Sequence, residues 1–271
     1  MTDEDDAGRP AATVVIVRDR PAAPSAILSP EILPPEILPP EILMVERAST
    51  MAFAAGALVF PGGAVDEADH ALAARLDHDL APDEAAARIA AIRETIEEAG
   101  LGIGLAGLVD AASVLRLRDG LHDGRPLGDL LDRHGLGIAF EALTPFARWH
   151  PAPFERAARV FDTRFYLARA PEGQMASVDS TENVRLLWSS AAEVLARCDA
   201  GEGRIIFPTR RNLERLAPFA SHADLVAHAA AFPVEKVRPW KEERDGEAHL
   251  CIPDHLGYPV TSEPMRQVRR A

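Results

Sequence analysis

The chain has 271 residues, 47% of them hydrophobic and 26% charged, and a formal net charge of −13. That length and composition support a sizeable buried core, while the acidic balance argues against a duplex DNA or RNA scaffold, which shows a basic stripe. No apolar run approaches the ~20 residues that span a bilayer, the acidic stretch Met1 to Ala7 is unlike the basic start of a signal peptide, and Cys198 and Cys251 lack metal-ligand spacing. A cytoplasmic protein with ordinary reduced thiols is expected.

The first seven to ten residues read as disordered. Thr13 to Arg18 is β-branched and bounded by Pro21, so it reads as a strand. Ile42 to Glu46 reads as its partner. Between them the five-residue unit Pro-Glu-Ile-Leu-Pro repeats from Pro30 to Leu43. Proline at that density prevents a helix or a central strand, and the stretch is expected as an extended, exposed loop. Ala57 to Phe60 is a short strand running into Pro61-Gly62-Gly63. One helix is expected over Ala71 to Leu80. A second is expected from Pro82, with proline in its first turn beside Asp83 and Glu84, to Ala99, where Gly100 stops it.

Leu108 to Phe140 is expected to hold short helices, including Leu127 to Arg133, and to act as a lid. Phe146 to His150, Thr163 to Ala168 and Val184 to Trp188 read as strands; Ser190 to Arg197, Thr209 to Leu216 and Ala223 to Ala231 read as helices. After Pro233 the chain is polar and proline-punctuated, and a tail is expected. No linker divides the chain, so one domain over residues 11–240 is expected, with insertions at 29–41, 70–86 and 108–140, a disordered start at 1–10 and a tail at 241–271.

The chemistry concentrates at Arg93-Glu94-Thr95-Ile96-Glu97-Glu98-Ala99-Gly100-Leu101. At about 100° per residue, Ile89, Ile92 and Ile96 share one side of the helix, and Glu94, Glu97 and Glu98 share roughly the opposite side. Three like charges at i, i+3 and i+4 repel by a few tenths of a kcal/mol per pair. A hard divalent cation removes that conflict; a plain acidic surface is the bland alternative. The Phe60-Pro61-Gly62-Gly63 turn upstream lets backbone approach a ligand closely.

Together these motifs resemble the signature of the Nudix hydrolase family: Gly, five residues, Glu, seven residues, then Arg-Glu-U-x-Glu-Glu-x-Gly-U, where U is apolar. Gly63, Arg93, Glu94, Glu97, Glu98, Gly100 and Leu101 match. Asp69 stands where the family has its first Glu, Thr95 is less apolar than usual, and 23 residues separate Asp69 from Arg93, 16 more than the pattern has. The resemblance implies an α/β fold, a Nudix-type α/β/α sandwich with a mixed sheet and helical insertions. A narrower likeness, to the peroxisomal-type coenzyme A diphosphatases, rests on Arg47, Ala48, Gly56 and Phe60 to Gly63 in register, on the long spacer, and on Phe161 to Tyr166 and Phe207 to Leu213. Ala52 replaces an arginine of that pattern.

The family likeness implies Mg²⁺ or Mn²⁺ held by Glu94 and Glu98, with Glu97 and the Gly62 carbonyl in support. It assigns catalytic roles to Glu98, Glu97 and Arg93, with Arg93 bracing the glutamates. Arg47, Gly56 and Gly63 are the expected substrate contacts. Glu98, Asp179 and Glu182 are the candidates for orienting or deprotonating the water. Arg210 and Arg211 read either as near the site or as exposed, Trp149 and Trp188 as base-stacking or, preferably, core residues, and His150 as structural. The expected activity is hydrolysis of a diphosphate linkage in a nucleotide-type small molecule: coenzyme A or acyl-coenzyme A, alternatively ADP-ribose or a dinucleotide. A ligand sensor without turnover is the alternative of another class. No nucleic-acid or membrane partner is expected, and a homodimer is left open.

Overall fold

The computed structural model describes residues 8–20, 38–48, 54, 56–152, 160–178 and 183–268. Most of the proline-rich repeat, the acidic first seven residues, Ala52, Asp179 and Glu182 therefore lie outside the described residues. The chain opens with β1 (Arg9–Arg18), β2 (Glu41–Arg47), β3 (Leu58–Val59) and β4 (Gly62–Ala64), then α1 (Glu67–Arg75) and α2 (Pro82–Ala99). A short ribbon of β5 (Leu105–Ala106) and β6 (Gly137–Ile138) brackets α3 (Ala111–His122) and α4 (Leu127–His134). There follow β7 (Thr144–Trp149), β8 (Phe161–Arg169), β9 (Asn183–Ser189), α5 (Ala191–Asp199), α6 (Phe207–Leu216) and α7 (His222–Ala230). The last elements are β10 (Lys236–Val237), β11 (Trp240–Arg244), β12 (Glu247–Cys251), β13 (Ser262–Pro264) and the single turn α8 (Met265–Val268).

One mixed sheet organises them in the order β10-β7-β8-β1-β2-β3, with β4 also pairing β1 and β9 pairing β2. Strand β1 is its centre. It pairs in parallel with β8 from Arg9–Phe161 to Val17–Arg169, which is why it is covered on both faces and reads as a near-continuous apolar run. It starts ahead of Thr13 because its first residues pair with β8 and β4, partners that local propensity does not reveal. Alternation along β1 divides two cores. Ala12, Val14 and Ile16 face α2 with Ile89, Ile92 and Ile96; Val15 and Val17 face the other layer with Val194, Leu213 and Leu225 of α5, α6 and α7. The result is the α/β/α sandwich expected.

Strand β1 changes partner along its length. Ala11 to Thr13 pair with β4, and Val17 and Arg18 pair with β2. Where those two strands diverge, the Val14 amide donates to the Pro61 carbonyl at 2.9 Å. The sheet thus splays at the turn that carries Gly62.

Helix α1 lies ahead of its expected range of Ala71 to Leu80. Asp69 accepts a hydrogen bond from the backbone amide of the N-cap residue Asp66, 2.9 Å away, and so starts the helix early. At the far end the His78 ring meets the Ala73 carbonyl at 3.1 Å. The 23-residue spacer therefore forms α1, a turn, and the first part of α2. Helix α2 runs over the expected span, with Pro82 in its first turn and Gly100 in the left-handed conformation at φ +65°.

Two expectations need correction. Helices α3 and α4 do not stand over the sheet as a lid: Leu117, Leu121, Leu127, Leu130 and Leu131 are buried in the same core as α2, so the pair buttresses α1 and α2. The polar stretch expected as a tail instead forms a three-stranded antiparallel sheet, β11-β12-β13. Leu250, Cys251, Ile252, Leu256 and Tyr258 of that region are buried, and the Trp149 indole donates to the Tyr258 hydroxyl at 2.9 Å. The apolar positions are too few and irregularly spaced to announce themselves in sequence. Among the described residues no helix is long and apolar enough to cross a membrane.

Candidate active site

The turn before β4 brings backbone against backbone. Gly62 sits at φ +155°, and a Cβ there would overlap the Ala12 carbonyl and the Thr13 side chain of β1. Only glycine lets this residue lie flat on the central strand. Gly63 is small for a different reason: a Cβ would occupy the space of the Glu94 carboxylate. The two glycines thus clear the ground on which α2 sets its acids.

Glu98 is buried, and its Oε2 accepts a hydrogen bond from the Gly62 amide at 2.9 Å. Glu94 lies over Gly63 with 17% of its side chain exposed. Burial pushes the Glu94 carboxyl up to about 8; the Arg93 charge opposes this, and the charges of Glu98 and Glu97 add to it. The three glutamates share one ridge of α2 as the helical spacing requires.

Arg93 holds the ridge together. Its Nη1 donates to Glu94 Oε1 and to Glu97 Oε2, both at 2.8 Å. Its Nε and Nη2 take the two oxygens of Asp69 at 3.1 and 3.0 Å, and Nη2 also donates to the Ala64 carbonyl at 2.9 Å. Burial alone would lower the Arg93 pKa. The hydrogen bond to Asp69 and the charges of Glu94, Asp69 and Glu97 outweigh it and keep the guanidinium charged. One planar side chain therefore ties β4, α1 and α2 into one unit.

Asp69 is 1% exposed. In sequence it is only an Asp where the family pattern has Glu, separated from Arg93 by an unusual spacer. In space the spacer folds back and Asp69 meets Arg93 through both oxygens. A second residue has no sequence signal at all. Arg118, buried on α3, donates from Nε to the Glu97 carbonyl at 2.9 Å and from Nη2 to the Glu98 carbonyl at 3.3 Å. It also binds Ser177 through Nη1 at 2.8 Å and Nη2 at 3.0 Å. The end of the glutamate helix is thus fastened to the 174–178 loop.

Arg47 and Gly56 are joined through their backbones where β2 ends, with Gly56 N to Arg47 O at 3.2 Å. Arg211 is neither near the glutamates nor exposed: it is 2% exposed and pairs with Glu214 and Glu263 at 3.0 Å each. Arg210 pairs with Asp199. Trp149 is a core residue, and the buried His150 closes its ring on the Pro151 carbonyl at 3.0 Å. Trp188 is half-buried beneath the Arg18 guanidinium. Cys198 and Cys251 are free thiols.

The donor set suits a hard divalent cation. Among the described residues no three acidic, imidazole or thiol groups close around one point. Mg²⁺ does not need that, because it keeps several waters and is commonly bound through one or two carboxylates plus substrate phosphates. Glu94 and Glu98, side by side above the Gly62-Gly63 backbone, supply such a pair. Burial drives Glu94 toward its neutral form, a tendency that a facing cation would reverse.

No family model matches the chain. Among solved structures it is similar to a NUDIX hydrolase from Alicyclobacillus acidocaldarius, with 26% identity and a TM-score of 0.61 over 81% of this chain and 95% of the other. It also aligns with an Ap4A hydrolase of C. elegans in a binary complex, at 15% identity and TM-score 0.35 over 81% and 93% of the two chains. The NUDIX domain of Shewanella oneidensis NrtR, complexed with ADP ribose, aligns at 14% and 0.36 over 72% and 88%. Taken with the glycine turn and the Arg-Glu and Glu-Glu pairs of α2, the first of these likenesses shows that this chain shares the fold of a Nudix hydrolase and supports a hydrolase of that type.

Proposed function

We propose that this enzyme hydrolyses a diphosphate linkage in a nucleotide-type small molecule, with coenzyme A or acyl-coenzyme A as the leading substrate. The observation that carries the reading is the seating of Glu98 on the Gly62 amide, 2.9 Å away, with Glu94 beside it over Gly63. Glu94 and Glu98 would hold Mg²⁺ or Mn²⁺, with Glu97 at the exposed edge of the ridge. Such an ion neutralises the diphosphate oxygens and lowers the pKa of a bound water.

The chain's own residues do the rest. The Gly62 amide fixes one oxygen of Glu98, leaving the other to orient a water or take its proton. As the water oxygen bonds to phosphorus, one P–O bond of the anhydride breaks and the leaving phosphate departs with its electron pair. Arg93 touches no reacting atom in this scheme. It keeps Glu94 and Glu97 in place through charge-assisted hydrogen bonds. Asp69 keeps Arg93 in place in turn.

The coenzyme A assignment is supported by the Arg47, Ala48, Gly56 and Phe60 to Gly63 pattern and by the long spacer. Ala52, where that pattern has arginine, removes a phosphate or coenzyme A contact, and ADP-ribose or a dinucleotide is the second reading. A sensor without turnover is disfavoured because all three glutamates are present and braced. Purified protein with Mg²⁺ offered coenzyme A, ADP-ribose and NADH separates these, with phosphate-containing products quantified. Faster cleavage of ADP-ribose would transfer the assignment to it, and binding without turnover would make the protein a sensor. Glu98→Gln is expected to lower kcat at least ~10²-fold, as loss of a positioned catalytic group does. Turnover close to wild type would remove Glu98 from the mechanism.

A further inference from the structure

A cavity of about 440 Å³ opens at the C-terminal end of α2, on the same face of the sheet as the glutamates. That volume is within the range of small-molecule sites. Its walls include Leu101, Met175 and Trp188, and its charged groups are Arg18, Arg169, Asp19 and Glu172. Leu101 is three residues beyond Glu98 in the chain. The opposite wall is stitched to the helix end: the Ser177 amide donates to the Ala99 carbonyl at 2.9 Å, and the Gly102 amide donates to Gln174 Oε1 at 2.8 Å. Arg118 adds its own bonds to Ser177. This wall is built before any ligand arrives.

The Arg18 guanidinium lies 4.3 Å from the centre of the Trp188 ring, and its Nε is held by Glu41 Oε2 at 2.7 Å. A planar cation stacked on an indole and clamped from the side presents one flat face outward. Bases stack readily on guanidinium planes of this kind. Arg169 lies on the cavity's rim, its side chain 64% exposed and 3.3 Å from Asp19. Asp19 and Glu172 share the lining, so Arg169 offers an anion its hydrogen-bond donors rather than a positive field. Met175, 89% exposed, is an apolar side chain at the mouth with little to cover it.

We infer that this cavity takes the nucleoside 5′-phosphate end of the substrate, the base lying on the Arg18–Trp188 stack and the anionic groups meeting Arg169. The assignment rests on the diphosphate-hydrolase reading and specifies which end of the substrate goes where. The glutamate ridge then receives the anhydride next along the substrate, and the remaining half extends away from the cavity. Recognition is by a flat cation rather than by charge alone, since lysine carries the same charge without the plane.

Calorimetric titration of AMP without divalent metal tests this apart from catalysis. Wild type is expected to bind, and Arg18→Ala and Arg18→Lys are both expected to weaken binding roughly tenfold, the loss of a base-stacking contact. Arg169→Ala is expected to weaken AMP but not adenosine. Ribose 5-phosphate, which has no base, should bind far less well and be indifferent to Arg18. These arginines are half or more exposed on average, and thermal midpoints confirm folding in each variant. Failure of wild type to bind AMP, or an Arg18→Lys variant that binds as well as wild type, overturns the assignment. Diphosphate turnover by a protein whose AMP affinity ignores Arg18 sinks this inference alone. AMP binding through Arg18 without any turnover sinks the hydrolase reading alone.

Discussion

At the scale of single residues, the site depends on what two glycines leave room for. Gly63 has no backbone need to be glycine, yet its missing Cβ is where the Glu94 carboxylate lies. Gly63→Ala is therefore expected to push Glu94 out of register. A displacement of about 1 Å at a reacting site costs on the order of 10²-fold in rate. The variant should show that loss in kcat while its circular dichroism stays like wild type, and a rate within twofold of wild type would refute the packing argument. The buried Asp162 gives a second residue-level prediction. Burial alone would raise its pKa, but Arg148, through both nitrogens at 2.7 Å, and Lys236 at 2.6 Å hold it below the ordinary carboxylate range. A depressed folded pKa means stability that is present above the unfolded value, ~4, and lost as pH falls through the folded one. Urea unfolding below about pH 4 should show this loss in wild type. Asp162→Asn should be less stable at neutral pH and show a flatter acid limb; an unchanged acid limb would assign the loss to other groups.

At the scale of elements, α2 is the piece that must not shift. Its start has no side-chain cap, and its end is a left-handed glycine. Arg118 from α3 completes that end by taking the carbonyls of Glu97 and Glu98. A cation near exposed helix carbonyls also opposes the helix dipole. Removing the side chain strands those carbonyls and loosens the 174–178 loop. Arg118→Ala is expected to cost on the order of 3 kcal/mol in stability, from charged hydrogen bonds lost in a buried place. It should lower kcat more than it changes KM for a truncated substrate, and Arg118→Lys should recover part of the rate. A stability loss with kcat untouched would make Arg118 a purely structural cap. This also gives the inserted helices a purpose: α3 and α4 stiffen the glutamate helix from behind.

At the scale of the whole molecule, a chain of net charge −13 concentrates three acids on one ridge and braces two of them with one arginine, which leaves the ridge negative. A divalent ion bound there should stabilise the fold by mass action. The thermal midpoint is expected to rise with Mg²⁺ or Mn²⁺ in wild type and not in a Glu94→Gln, Glu98→Gln double variant. Chelation should abolish turnover, and added metal should restore it. A wild-type midpoint indifferent to both ions would mean that the ridge binds neither, and an equal rise in the double variant would place the cation elsewhere. The sequence by itself determined α2 from Pro82 to Ala99, because proline, acidic first turn, isoleucine period and glycine stop are all local features. It determined the central strands by β-branched runs, and the ridge of Glu94, Glu97 and Glu98 by helical geometry alone. Only the tertiary structure decided the early start of β1, since pairing partners far along the chain supply it. Only it turned the polar stretch after Pro233 into a packed three-stranded sheet, whose buried residues are too sparse to form a period. And only it brought Asp69 and Arg118 to α2, because a buried ion pair and a cap made by a distant helix depend on where chains cross, a property that no window of sequence contains.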